Sequence, residues 1–93
     1  MPAHLYILTN RTNTVLYIGV TARLTRRLAL HREPSGRDSF TRRYRLTRLI
    51  YVEEYHRVID AISREKQLKG WRRERKLALI RELNPAMEEL MPD

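Results

Sequence analysis

Two short apolar runs near the start of the chain constrain its fold most. They are His4-Leu5-Tyr6-Ile7-Leu8 and Val15-Leu16-Tyr17-Ile18-Gly19-Val20. Both are rich in the aliphatic and aromatic residues of strands. Between them Thr9-Asn10-Arg11-Thr12-Asn13-Thr14 is polar and carries two Asn, the composition of a turn. The pair reads as an antiparallel hairpin. With Leu8 set opposite Val15, Tyr6 falls directly opposite Tyr17, and two phenols stand side by side on one face. Neither run alternates cleanly between apolar and polar residues. The sheet is therefore expected to be covered on both faces for much of its area.

The remaining elements supply that cover. Thr21 is placed to cap a helix that runs to about Arg32, with Leu24, Leu28 and Ala29 as its apolar stripe. Arg23, Arg27 and His31 fall four residues apart on an adjacent face. Pro34-Ser35-Gly36 stops this helix, and Asp38 to Tyr44 reads as a short helix or a loop. Leu49 to Tyr55 is a third strand. A second helix covers roughly Arg57 to Lys69 and ends at Gly70. A third runs from about Trp71 to Leu83, with Leu77, Ile80 and Leu83 as its stripe, and stops before Asn84-Pro85. Residues 86–93 are expected to form a partly mobile tail. The fold class is α/β, a small three-stranded antiparallel sheet flanked by three or four helices. It forms a single domain over residues 1–93 with a core at about 4–85.

Composition narrows the chemistry. With no Cys among 93 residues, disulfides, thiolate catalysis and iron–sulfur clusters are excluded. Three scattered His (His4, His31, His56) do not suggest a metal cage. No apolar run approaches the ~20 residues of a membrane span. The start of the chain lacks the basic segment and cleavage site of a signal peptide, so a cytoplasmic location is expected. The net charge is +8, and it is lopsided. Residues 1–52 hold ten Arg against Glu33 and Asp38, whereas nine bases and nine acids balance in residues 53–93. Arg suits bidentate contact with phosphate. A basic half on a Cys-free domain points to nucleic acid before a membrane or an acidic protein.

Two features depart from ordinary scaffolding. Val58, Ala61, Ile62 and Leu68 mark the buried stripe of the second helix, and Glu65 lies inside it. A carboxylate there is costly unless it is paired or holds a metal, and pairing with one of the many Arg is an equal alternative. The second feature is the phenol pair. Strand tyrosines are more often packing than chemistry, but Gly19 in the same strand marks a bulge or a close backbone approach.

Taken in order along the chain, these pieces resemble a known family. Leu5-Tyr6-Ile7-Leu8 is followed about ten residues on by Leu16-Tyr17-Ile18-Gly19. Then come Leu24-Thr25-Arg26-Arg27-Leu28, Arg64-Glu65 with Lys69-Gly70-Trp71, and Asn84-Pro85. This series resembles the GIY-YIG nucleases over almost the whole chain. It is similar to their small stand-alone members and to the N-terminal domain of the excision nuclease UvrC. The first triplet, His4-Leu5-Tyr6, lacks the leading Gly. Val20 stands where some relatives carry a Lys that could assist the tyrosine.

The resemblance implies a metal-dependent DNA endonuclease serving repair or processing, with recognition of DNA structure as one open source of specificity. It implies Tyr17 as general base toward water and Tyr6 as the group that positions the nucleophile. Arg27 would neutralise the transition state, and Glu65 would be the single protein ligand of Mg²⁺ or Mn²⁺. Asn84 would hold part of the site by hydrogen bonds. His31 would contact phosphate or take the Tyr17 proton. Arg23, Arg26, Arg42, Arg43 and Lys69 would track the nucleic-acid backbone. Trp71 is expected to pack against the core rather than stack on bases. DNA is the expected partner with RNA not excluded, and a homodimer or a partner protein could supply specificity. Two other readings stand beside this one: a non-catalytic nucleic-acid-binding module with the same fold, and a protein-interaction domain whose basic face meets acidic partners.

Overall fold

The computed structural model describes residues 2–32 and 43–91, and of His31 and Arg32 it describes the main chain alone. The two apolar runs form β1 (Ala3–Thr9) and β2 (Leu16–Thr21), and the third strand is β3 (Arg48–Tyr55). All pairings are antiparallel, in the order β2-β1-β3. The central position of β1 explains its missing alternation. Leu5 and Ile7 enter one core and Tyr6 and Leu8 another, so both of its faces are buried.

The register differs from the expected one. Tyr6 pairs with Gly19, and Tyr17 pairs with Leu8. Asn10 is the reason. Its Oδ1 accepts the Thr14 and Val15 N–H groups at 2.8 and 3.4 Å, and its Nδ2 donates to the Thr14 hydroxyl at 2.7 Å. Thr9 Oγ1 also donates to the Val15 carbonyl at 2.8 Å, so Val15 belongs to the turn and β2 starts one residue later. Asn13 takes the left-handed φ of 59° that Asn tolerates. The resulting shift is two positions. Side chains alternate with period 2, so both tyrosines keep the same face and become diagonal neighbours. On the other side of β1 a bulge between Ile7 and Leu8 admits Ile50 as an extra residue of β3.

The helices α1 (Leu24–Arg32), α2 (Val58–Lys69) and α3 (Arg73–Leu83) cover the sheet. Leu24 and Leu28 pack α1 onto Tyr6, Leu8 and Leu49. On the opposite face Leu68 of α2 and Ile80 of α3 join Leu5, Ile7, Ile18 and Tyr51. Several expected details are corrected. Thr21 ends β2 instead of capping α1, and its hydroxyl accepts the Arg23 N–H at 3.0 Å. Ala29, Val58, Ile62 and Leu83 are exposed. Among the described side chains each helix buries only a narrow row of one or two, because a three-stranded sheet offers little width to cover. The segment 38–42 and the Pro34-Ser35-Gly36 stop lie outside the described residues.

Past α3 the chain folds back on itself. Asn84 Nδ2 donates to the Ile50 and Glu88 carbonyls at 2.9 and 2.8 Å, and its Oδ1 accepts the Glu88 N–H at 3.0 Å. Met87 is buried, and the Leu90 N–H bonds the Leu49 carbonyl at 2.7 Å. Arg48 closes the arrangement, donating to Asn13 Oδ1 at 2.6 Å and to the Met87 carbonyl at 2.7 Å. Residues 84–90, expected as a helix stop and a partly mobile tail, are thus bonded to the edge of β3. Among the described residues no helix is long and apolar enough to cross a membrane.

Candidate functional site

The tyrosine pair is built by β1 and β2. Tyr6 is buried, held by Leu8, Leu24 and Leu28. Its ring lies over the backbone of Gly19. A Cβ at that position would sit 2.5 Å from the Tyr6 hydroxyl oxygen and 2.6 Å from the ring carbon bearing it. The glycine is there for this space and not for its backbone freedom, since its φ is not positive. Tyr17 stands diagonally beside Tyr6, with ring centroids 6.3 Å apart and planes tilted by 38°. It is only half-buried, because β2 is an edge strand. Of the two phenols, Tyr17 is the one a ligand can reach.

Glu65 approaches from α2. Ala61 and Leu68 form the buried row of that helix. At 3.6 residues per turn, Arg64 and Glu65 fall on opposite flanks of the row. The Glu65 side chain is 21% exposed and pairs with Lys69 at 3.4 Å. Lys69 in turn lines a pocket of about 250 Å³ with Leu16, Tyr17, Ile18 and Lys76. The edge of β2 is where a side chain from the α1 face of the sheet, Tyr17, meets side chains from the helices on the other face. A second cavity of about 490 Å³, lined by His4, Leu24, Val52, Glu54 and Leu90, includes neither tyrosine.

The other flank of α2 carries a different cluster. Glu53 of β3 accepts hydrogen bonds from the Tyr51 hydroxyl, from the Tyr55 hydroxyl at 2.6 Å, and from Arg64 Nε at 3.1 Å. Arg64 also donates to Gln67 at 2.8 Å, and its guanidinium lies 5.3 Å from the centre of the Trp71 ring. Arg75 stacks on the same ring at 3.9 Å. Trp71 therefore packs as expected, against the core, with two guanidinium groups over its ring. Burial pushes the Glu53 carboxyl up, but the bonds from Arg64, Tyr51 and Tyr55 outweigh it and hold the group below its ordinary value. Burial and the neighbouring carboxylate push both phenols up. These two tyrosines are held as neutral donors to Glu53.

The expected site residues separate into groups. Tyr6 and Tyr17 come together, and Glu65 and Lys69 pair at the same sheet edge. Arg27 is exposed on α1, immediately before Leu28, which packs on Tyr6. Arg23 and Arg26 are exposed on the same helix, and Arg43 is exposed with its guanidinium over the Tyr44 ring at 5.6 Å. The three hydrogen bonds of the Asn84 side chain go to main-chain groups of β3 and of the turn after α3. The side chain of His31 and all of Arg42 lie outside the described residues. Lys76 is the pocket residue that sequence reasoning missed. It precedes the buried Ile80 by one helical turn, a charged residue at a core-facing position, just as Glu65 is on α2.

Comparison with known proteins bears on this arrangement. The profile of the GIY-YIG catalytic domain matches residues 2–78. UPF0213 proteins of Staphylococcus aureus strains Mu3 and N315 are each 29% identical over 82 residues, which is 88% of this chain and 99% of theirs. The solution NMR structure of the UPF0213 protein BH0048 from Bacillus halodurans superposes with a TM-score of 0.58. It is 22% identical, covers 95% of this chain and 92% of its own, and speaks to the fold alone.

Proposed function

The chain belongs to the GIY-YIG catalytic-domain family, a nuclease-type domain, and from that premise we propose that it is a divalent-metal-dependent DNA endonuclease. The observation that carries this reading is the reachable phenol of Tyr17, set beside Tyr6 over Gly19 at the sheet edge that also holds Glu65. Tyr17 is the general base. It takes a proton from water as the water oxygen bonds to phosphorus. One ester P–O bond then breaks, and the leaving oxygen is protonated from solvent. An ordinary phenol ionises near pH 10, so about one in a thousand is in the basic form at neutral pH. Nearby positive charge raises that fraction. Tyr6 fixes the position of the Tyr17 ring, and Arg27 stabilises the charge that develops on the non-bridging oxygens.

The donor set also fits a divalent cation. Glu65 is a single, partly buried carboxylate, and among the described residues no cluster of three or more acidic, His or Cys side chains surrounds it. Mg²⁺ keeps several waters and is commonly held by one or two carboxylates plus substrate phosphates. Glu65 would be the residue that holds it. When bound, the ion supplies positive charge to the phosphoryl oxygens. The exposed Arg23, Arg26 and Arg43 track the DNA backbone, and Asn84 acts as a brace of the fold.

A cleavage assay on plasmid, single-stranded and branched DNA tests the reading, with Mg²⁺ or Mn²⁺ and with chelator. Cation-dependent cleavage lost in both Tyr17→Phe and Glu65→Ala is the expected result. No cleavage on any substrate, with salt-sensitive DNA binding intact, would make the chain a binding module on the same fold.

A further inference from the structure

Lys69 is shared between two places. Its ammonium lies 3.4 Å from Glu65, and its side chain also lines the pocket at Tyr17 together with Lys76. The two members of the ion pair differ in freedom. The Glu65 carboxylate is held at 21% exposure beside the buried row of α2, whereas Lys69 is 57% exposed on a flexible four-carbon stem. The carboxylate stays and the ammonium can leave.

We infer that Lys69 is the resident counter-cation of Glu65, displaced when a divalent cation binds, and that the released ammonium joins Lys76 to form a subsite for a substrate phosphate beside Tyr17. The inference rests on the reading that Glu65 takes the cation. The pocket has the chemistry for an anion. It is lined by a lysine from α2 and another from α3, by Tyr17, and by apolar walls from Leu16 and Ile18. Lys76 is partly buried on α3. A cation at Glu65 then favours phosphate in the pocket, and phosphate in the pocket favours the cation. The two effects must be equal by linkage.

The coupling is testable without turnover. Free Mn²⁺ is followed by electron paramagnetic resonance against the intact chain and its Glu65→Gln, Lys69→Met, Lys69→Arg and Lys76→Met variants, in the absence of DNA. An exposed i,i+4 pair is a weak interaction, so Lys69→Met should tighten Mn²⁺ binding by about two- to five-fold. Lys69→Arg and Lys76→Met should bind it as the parent does. With chelator and a fluorescein-labelled single strand, Lys76→Met should weaken binding and reduce the salt slope by about one. Unchanged or weaker Mn²⁺ binding in Lys69→Met, with binding lost in Glu65→Gln, overturns the inference and leaves the cation site standing. Mn²⁺ binding that survives in Glu65→Gln overturns the cation site and the inference together.

Discussion

Replacing Glu53 by Gln would test how α2 is held against the sheet. The Glu53 carboxylate accepts from two phenols and from Arg64, and the Glu53 and Arg64 side chains are 16% and 22% exposed. An amide keeps the shape and one acceptor oxygen but loses the charge. Hydrogen bonds to a charged group contribute about 1.5–3 kcal/mol, and removing one partner of a buried pair costs about 3–5 kcal/mol. This pair is partly wet, and Arg64 retains Gln67 and the Trp71 ring, so the lower range applies. Glu53→Gln should destabilise the fold by about 2 kcal/mol, equivalent to a Tm about 10 °C lower for a domain of this size. Urea unfolding followed by circular dichroism and by Trp71 fluorescence measures it. The pH dependence supplies the sharper check. The Glu53 carboxyl is held below its ordinary value of 4.5 in the folded state. Its contribution is therefore fully present above that value, and is lost as pH falls through the lower folded-state pKa. The gap between the parent and Glu53→Gln should be constant from pH 7 to about 5.5 and close toward pH 3. A gap that keeps its full size at pH 3, or no gap at pH 7, would refute the account of the cluster.

Other outcomes follow from the site and from its supports. Tyr17→Phe should lower DNA cleavage by about 100-fold or more while changing DNA affinity far less, as expected when a general base is lost. Cleavage by the parent should rise between pH 7 and 9, measured as single-turnover rates, because the basic phenolate form increases with pH. Gly19→Ala places a methyl group against the Tyr6 ring and should destabilise the fold by about 1–3 kcal/mol, with a parallel loss of cleavage. Asn84→Ala removes three hydrogen bonds to main-chain groups and should cost about 2–3 kcal/mol in urea unfolding, while single-turnover cleavage of the folded fraction persists.

Much of this fold was legible because its signals are local. The strands, α2 with Gly70 behind it, and the packing of Trp71 all follow from short patterns. What was misread depends on side-chain bonds, sheet width and distant contacts that apolar periodicity does not record. The Tyr6–Gly19 register follows from the side chain of Asn10, which lengthens the turn and takes in Val15. Val58, Ile62 and Leu83 obey helical periodicity, yet a sheet three strands wide has no room to bury them. Asn84 and Leu90 are far in sequence from Ile50 and Leu49, the backbone groups they satisfy, so no window along the chain joins them.

The site follows the same division with one exception. Tyr6, Tyr17 and Glu65 were singled out from the sequence, two by strand pattern and one because a carboxylate interrupts an apolar stripe. Lys76 gives the same kind of signal, a charge one turn before a buried Ile, but in a chain with 19 basic residues a misplaced lysine does not stand out. The reason both charges are tolerated at core-facing positions is the edge of β2. A helix that overhangs a sheet edge can place a charged group in the row that would otherwise be buried, since that part of the row meets solvent instead of strand. An edge strand therefore exposes Tyr17 and also lets Lys69, which pairs with Glu65, and Lys76 come to it from the helices of the opposite face. In a wider sheet the same four residues would lie over buried strands, and each charge would need a partner in place of a ligand.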